Sequence, residues 1–174
     1  VAVEVCSAAF YLDEDVGVLI SACLFGDGAS AALWRAANRG GQWQASHFRS
    51  LHRPEEREKI RFVNAEGKLR NQLHRAVPEL AADAVHELFV KRTRDPDLVI
   101  AHTGGRDVID AIEARLPGYP LDATRETLRL HGNMSSPSVL CALDKSLAQI
   151  NGHQSLWLTA FGAGFAAHAC ELVK

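Results

Sequence analysis

The chain is defined first by what it lacks. Over 174 residues there is no block of like charge, and the formal net charge is only −2. That excludes the basic footprint of a nucleic-acid binder. No apolar run approaches the ~20 residues of a membrane span, and no secretory pattern is present. The four cysteines, Cys6, Cys23, Cys141 and Cys170, are far apart and form no C-x-x-C. A disulfide framework or a zinc site is therefore not expected. Free thiols packed as small hydrophobes, in a reducing cytoplasm, are the expectation. His47, His52, His74 and His86 show no metal-ligand spacing. There is also no starting methionine, and Val1-Ala2-Val3-Glu4-Val5-Cys6 already reads as a strand. A chain seldom begins in mid-strand, so the expectation is the C-terminal half of a longer protein, forming a single domain over 1–174.

What is present is an alternation of strands and helices. Val1 to Phe10 reads as a buried strand, and Val16 to Phe25 as a short buried helix or strand. Gly26-Asp27-Gly28 is a turn, with Asp27 bonded to nearby N–H groups rather than acting as an acid. Ala29 to Ala37 reads as a strand of small residues, Gly40-Gly41 as a turn, and Trp43 to Leu51 as the returning strand. The charged run Pro54 to Phe62 suits a surface helix or loop. Arg49, Arg53, Arg57, Lys59 and Arg61 interleave with Glu55, Glu56 and Glu58, as on a solvated face.

Helices are predicted over Val77 to Arg94, Arg106 to Leu116 and Asp122 to Leu130, the last capped by Asp122. Another, opened by Asn133, runs from Ser135 to Ile150 and is apolar on more than one face. Leu98 to His102 is a short buried strand. Asn151-Gly152 turns the chain into two last strands, Leu156 to Phe161 and Phe165 to Val173. Strands alternating with helices argue for an α/β sheet covered by helices.

Two motifs carry chemistry. His102 ends a buried strand just before Gly104-Gly105, where α/β folds place ligands. Alone, it reads first as a core or surface histidine beside a tight turn. Asn133, in Gly132-Asn133-Met134-Ser135-Ser136, alone reads as a helix cap. Capping uses the side-chain oxygen and leaves the NH₂ as a donor. A histidine N–H and an amide N–H together can hold the oxyanion of a thioester or its enolate.

His102-Thr103-Gly104-Gly105, Gly132-Asn133-Met134-Ser135-Ser136, Leu24-Phe25-Gly26-Asp27-Gly28-Ala29 and Phe161-Gly162-Ala163-Gly164 resemble, in order and spacing, motifs of the type III polyketide synthases. These are the chalcone and stilbene synthase-like enzymes of the thiolase superfamily. The resemblance spans the chain as the family's second half. It implies a thiolase-like half: a mixed five-stranded sheet with helices on both faces, in the order βαβαβαββ.

It also implies a Cys-His-Asn site, with His102 and Asn133 as catalytic partners and the nucleophilic cysteine in an N-terminal half. Phe25 would be a gatekeeper between CoA tunnel and cavity. Cys6, Ala8 and Ala9 would line the cavity, Ser135 would lie beside the starter group, and Phe161 and Gly162 would shape the cyclisation end. Gly104 and Gly105 would let substrate approach the backbone. The implied reaction condenses malonyl-CoA with an acyl-CoA starter, with loss of CO₂ and closure to an alkylpyrone or alkylresorcinol. It needs CoA thioesters but no cofactor or metal.

The implied assembly is a cytoplasmic homodimer, without nucleic-acid or membrane partners. Small residues at Cys6, Ala8, Ala9 and Ser135 suggest room for a long fatty starter. Thr103, Ala160 and Ala163 depart from the pattern, and Asn71 stands where the family has a second gatekeeping aromatic. Two alternatives remain open: a ketoacyl synthase that primes fatty-acid synthesis, and an inactive thiolase-like subunit that supports a partner.

Overall fold

The computed structural model describes all residues except 12, 37–42, 66 and 151. Its centre is a four-stranded mixed sheet ordered β3-β8-β7-β6. The strands are β3 (Gln44–His52), β6 (Leu98–Ala101), β7 (Ser155–Gly162) and β8 (Ala166–Val173). The β6–β7 pair is parallel, and β7–β8 and β8–β3 are antiparallel. Among the described residues the sheet thus has four strands, not five. The first two strands, β1 (Ala2–Glu4) and β2 (Gly28–Ser30), form a separate ribbon, as do β4 (Ile60–Ala65) and β5 (Lys68–Leu73).

Side-chain alternation along the strands divides the core in two. Val99, Ala101, Trp157 and Phe161 face α2 (Val77–Phe89) and α3 (Arg106–Arg115) in one apolar cluster. Leu156, Leu158, Ile100 and Leu172 face the other way, against Ala142 and Leu143 of α5 (Ser138–Leu147). Helices therefore cover both faces, as expected.

Several elements differ from the sequence reading. The strand expected over 1–10 is only β1 followed by a 3₁₀ turn, Cys6–Ala9, with no buried residue. Val1, Val3 and Val5 are exposed, so apolar composition here does not mark the core of this chain. Residues 16–25 resolve as α1 (Val16–Leu24), capped by Asp15, whose carboxylate accepts from the Val18 N–H at 3.1 Å. The small-residue strand shrinks to β2, and the Gly40-Gly41 turn lies outside the described residues.

Helix α2 stops at Phe89, before Arg94. The N–H groups of Lys91 and Arg92 turn back to Leu88 and Phe89 carbonyls, and the Arg92 guanidinium covers the Phe89 ring at 4.1 Å. Asp122 is the first residue of α4 (Asp122–His131) and makes no capping bond, so its contribution is charge in the first turn. Asn133 does not cap α5, which starts at Ser138 behind Pro137. The β4–β5 hairpin was not foreseen, because Arg61, Asn64 and Arg70 blur any apolar alternation.

Candidate active site

A cleft of about 930 Å³ opens at the C-terminal ends of β6 and β7. Phe25, His102, Gly104, Gly105, Asn133, Ser135, Phe161 and Gly162 all line it. Residues separated by more than a hundred positions thus meet at one concavity. Cys6 and Ala9 do not line it. They line a side pocket of about 340 Å³ that shares Phe25, Phe62, Asn71 and Ser135 with the cleft. Ala8 lines neither cavity.

His102 continues the β6 ladder through its N–H to the Thr159 carbonyl at 2.9 Å, and its ring stands edge-on to Phe161 at 5.2 Å. Strand β6 is an edge of the sheet, whose outer N–H and C=O groups need partners. The Thr124 hydroxyl supplies both for Ala101, donating to its carbonyl and accepting from its N–H, each at 3.1 Å. Thr124, fully buried on α4, thereby fixes the residue next to His102. Sequence reading missed it, since a helix threonine gives no signal without tertiary context. Burial pushes the His102 imidazole down to about 4, so it is neutral at pH 7 and offers one N–H donor.

Asn133 is set by backbone contacts. Its N–H donates to the Leu24 carbonyl at 2.8 Å, and its own carbonyl accepts from Gly26 N–H at 3.1 Å. This parallel bridge ties Phe25 to Asn133. Gly132 (φ +70°) lies so close to α1 that a Cβ there would sit 2.7 Å from the Leu24 carbonyl oxygen. Asn133 is 5% exposed, and its Oδ1 accepts from the Ser135 N–H at 2.9 Å. That Asx turn holds Ser135 at a left-handed φ of +57°. Among the described residues Nδ2 has no partner, leaving an amide donor for the cleft.

Phe62, unremarked in the sequence, packs on Phe25 with ring centroids 6.5 Å apart. It pairs across the β4–β5 ribbon with Asn71. His168 and Cys23 also line the cleft. The cysteines are less buried than expected: Cys23 is exposed and the others are half-buried. Burial, then Glu4 and Asp27, raises the Cys6 thiol, burial and Asp144 raise Cys141, and burial pushes Cys170 up to about 11. None of these three has the lowered pKa of a resting nucleophile. Asp27 accepts from the Ser7 N–H at 2.8 Å and hydroxyl at 2.6 Å, so its partner lies in the 3₁₀ turn Cys6–Ala9 and not within the Gly26-Asp27-Gly28 turn. Arg53, Arg57, Lys59 and Arg61 each meet a glutamate. Among the described residues, no three His, Cys, Asp or Glu side chains gather as metal ligands, and no helix is long and apolar enough to cross a membrane.

Residues 91–173 match the family model of the 3-oxoacyl-[acyl-carrier-protein] synthase III C terminal. The chain is 28% identical over 165 residues to phloroglucinol synthase of Pseudomonas fluorescens, covering 89% of this chain and 47% of that protein. It is 30% identical over 161 residues to a β-ketoacyl-[acyl-carrier-protein] synthase III of Paramagnetospirillum magneticum, covering 82% and 49%. The crystal structure of 1,3,6,8-tetrahydroxynaphthalene synthase from Streptomyces coelicolor, a bacterial type III polyketide synthase, superposes with a TM-score of 0.83 at 29% identity, over 98% of this chain and 52% of that one. The chain spans about half the length of the curated relatives it matches. Residues 91–173 are thus similar to the C-terminal part of a synthase III of the thiolase-like superfamily, and type III polyketide synthases are among the chain's homologues.

Proposed function

We propose that this chain is the C-terminal half of a type III polyketide synthase, and that His102 and Asn133 are its two electrophilic donors. The observation that carries the reading is their convergence on one cleft, with a neutral imidazole and an amide whose Oδ1 is occupied while Nδ2 stays free. Side-chain N–H groups fixed in this way suit a developing oxyanion.

In the proposed reaction a cysteine thiolate of an N-terminal half attacks the acyl-CoA carbonyl and expels CoA thiolate. Malonyl-CoA then loses CO₂, and the electron pair of the broken bond becomes an enolate held by the His102 and Asn133 donors. The enolate carbon attacks the enzyme thioester, the cysteine thiolate leaves, and the chain grows by two carbons. Repetition and ring closure give an alkylpyrone or alkylresorcinol. Phe25 gates the cleft, with Phe62 beside it. The active form is a homodimer in which each C-terminal half packs on its own N-terminal half.

The test is the full-length protein with acyl-CoA and malonyl-CoA, followed by CO₂ release and product mass. His102→Ala and Asn133→Ala are each expected to lower kcat about 10²–10³-fold. Wild-type rates in both variants would remove them from the mechanism. The 174-residue chain alone should show no turnover. A second reading, a ketoacyl synthase III, is favoured by the family model over residues 91–173. Malonyl-acyl-carrier-protein accepted in place of malonyl-CoA would select it.

A further inference from the structure

Ring closure needs a proton acceptor, and His102 is a poor one. Pushed down to about 4, its imidazole stays neutral and is suited to donation. Among the described residues the cleft has two other imidazoles, His74 and His168. His74 is committed, because its Nδ1 accepts from the Ala76 N–H at 3.1 Å, which leaves only an Nε2–H. His168 is held differently. Its Nδ1 lies 2.8 Å from the Ser50 hydroxyl of β3, a group that accepts as readily as it donates. With Ser50 as acceptor, Nδ1 keeps its hydrogen and the Nε2 lone pair is free to take another. The His52 ring stands edge-on to His168 at 5.7 Å.

Sheet register relates the two histidines. Ala101 of β6 pairs with Thr159, so the next residue, His102, stands beside Ala160. Ala160 pairs with His168, and His168 with Ser50. His102 and His168 therefore share one row across the sheet with a small residue between them, and all three line the cleft. Two strand spacings set their backbones about 10 Å apart. A chain lying over Ala160 passes both imidazoles.

We infer that His168, positioned by Ser50, is the base that closes the ring. The inference rests on the condensing function proposed above. His168 Nε2 takes the proton of an enol hydroxyl on the extended chain. The enol oxygen attacks the thioester carbonyl, polarised by the His102 and Asn133 donors, and the C–S bond breaks. The sulfur leaves with the electron pair and takes the proton from the imidazolium, so a lactone and a thiol form and His168 is restored. Ser50 touches no reacting atom. Its Oγ accepts from Nδ1–H and keeps the lone pair on Nε2.

The test is rapid quenching of the full-length protein with an acyl-CoA and malonyl-CoA, with CO₂ release and lactone scored separately. Loss of a general base costs ~10²–10⁴ in rate. His168→Ala should slow lactone formation about 10²-fold or more, reduce CO₂ release in the first turnover far less, and let the open-chain thioester build up. Added imidazole should restore lactone formation several-fold in His168→Ala and leave the wild type unmoved, which a purely structural histidine would not produce. Ser50→Ala should cost about tenfold in lactone formation, and Ser50→Thr, which keeps the hydroxyl and suits a strand, should recover most of it. A wild-type rate of lactone formation in His168→Ala, or an equal loss of both signals that imidazole does not repair, would overturn the assignment. CO₂ release without lactone in the wild type also overturns it and keeps the condensing function. A wild type that releases no CO₂ loses both.

Discussion

At the scale of single residues, the site works by making one side chain do two things. Under the proposed function, the Asn133 oxygen organises the turn to Ser135 while its nitrogen donates into the cleft that the residue lines. Asparagine has both atoms, and aspartate has only acceptors. Asn133→Asp should therefore keep the turn and the fold, yet lose the donor. An unchanged melting temperature with a rate near that of Asn133→Ala would bear this out.

His102 carries a different consequence. Its folded pKa, about 4, lies below the ordinary 6.5, so the unfolded chain binds more protons between these values. Stability must then fall as pH drops from about 6.5 toward 4, and this contribution is fully present above that window. Denaturant midpoints measured across the window for the wild type and His102→Gln should diverge at neutral pH and converge toward pH 4. Parallel curves would show that the imidazole is not held neutral. His102 and Asn133 were both legible in the sequence, because each sits beside glycines at an element boundary. The reading of Asn133 as a cap of α5 failed because an asparagine two residues before Ser135 fits an Asx turn as well as a cap. Only the position of Pro137 against Ser138 decides between them.

At the scale of elements, the anchoring of β6 to α4 matters most. Thr124 gives both hydrogen bonds to Ala101 and is fully buried. Thr124→Val keeps the shape but strands a backbone N–H and a C=O, at about 1–3 kcal/mol each. Thermal unfolding should show a loss of roughly 2–6 kcal/mol, and kcat should fall more than KM rises, since the adjacent His102 loses its frame. Helices α2 and α3 and strands β6 to β8 could be foreseen because their apolar periodicity is uninterrupted. Strands β1 and β2 were overextended for the opposite reason: apolar residues there remain uncovered in this chain, so composition overstated the element. The β4–β5 ribbon escaped notice, and with it Phe62, the ring that meets Phe25.

At the scale of the whole molecule, the first segment and α1 both leave apolar side chains exposed. Val1, Val3 and Val5 of the first segment and Val16, Leu19 and Ile20 of α1 are all solvent-accessible. Large apolar side chains left open in this way suit an interaction surface. Under the proposed function, the N-terminal half covers it. The 174-residue chain alone should then bind a hydrophobic dye strongly, and co-expression with the missing half should suppress the signal. Equal dye binding with and without that half would count against it. The helices on both sheet faces were anticipated. The four-stranded count was not, because the first strand pairs only with its own ribbon.

The bridge between Phe25 and Asn133 links two properties that enzyme engineers usually treat as separate. Leu24, Gly26 and Asn133 share backbone hydrogen bonds, and Gly132 leaves no room between the segments. Under the proposed function, a change that shifts the backbone at Phe25 to admit bulkier acyl groups must also drag the amide assigned to charge stabilisation. On that proposal, breadth of substrate and speed of reaction are mechanically geared. Widening the gate by trimming the Phe25 ring alone, with the backbone left in place, is the route by which one can change without the other.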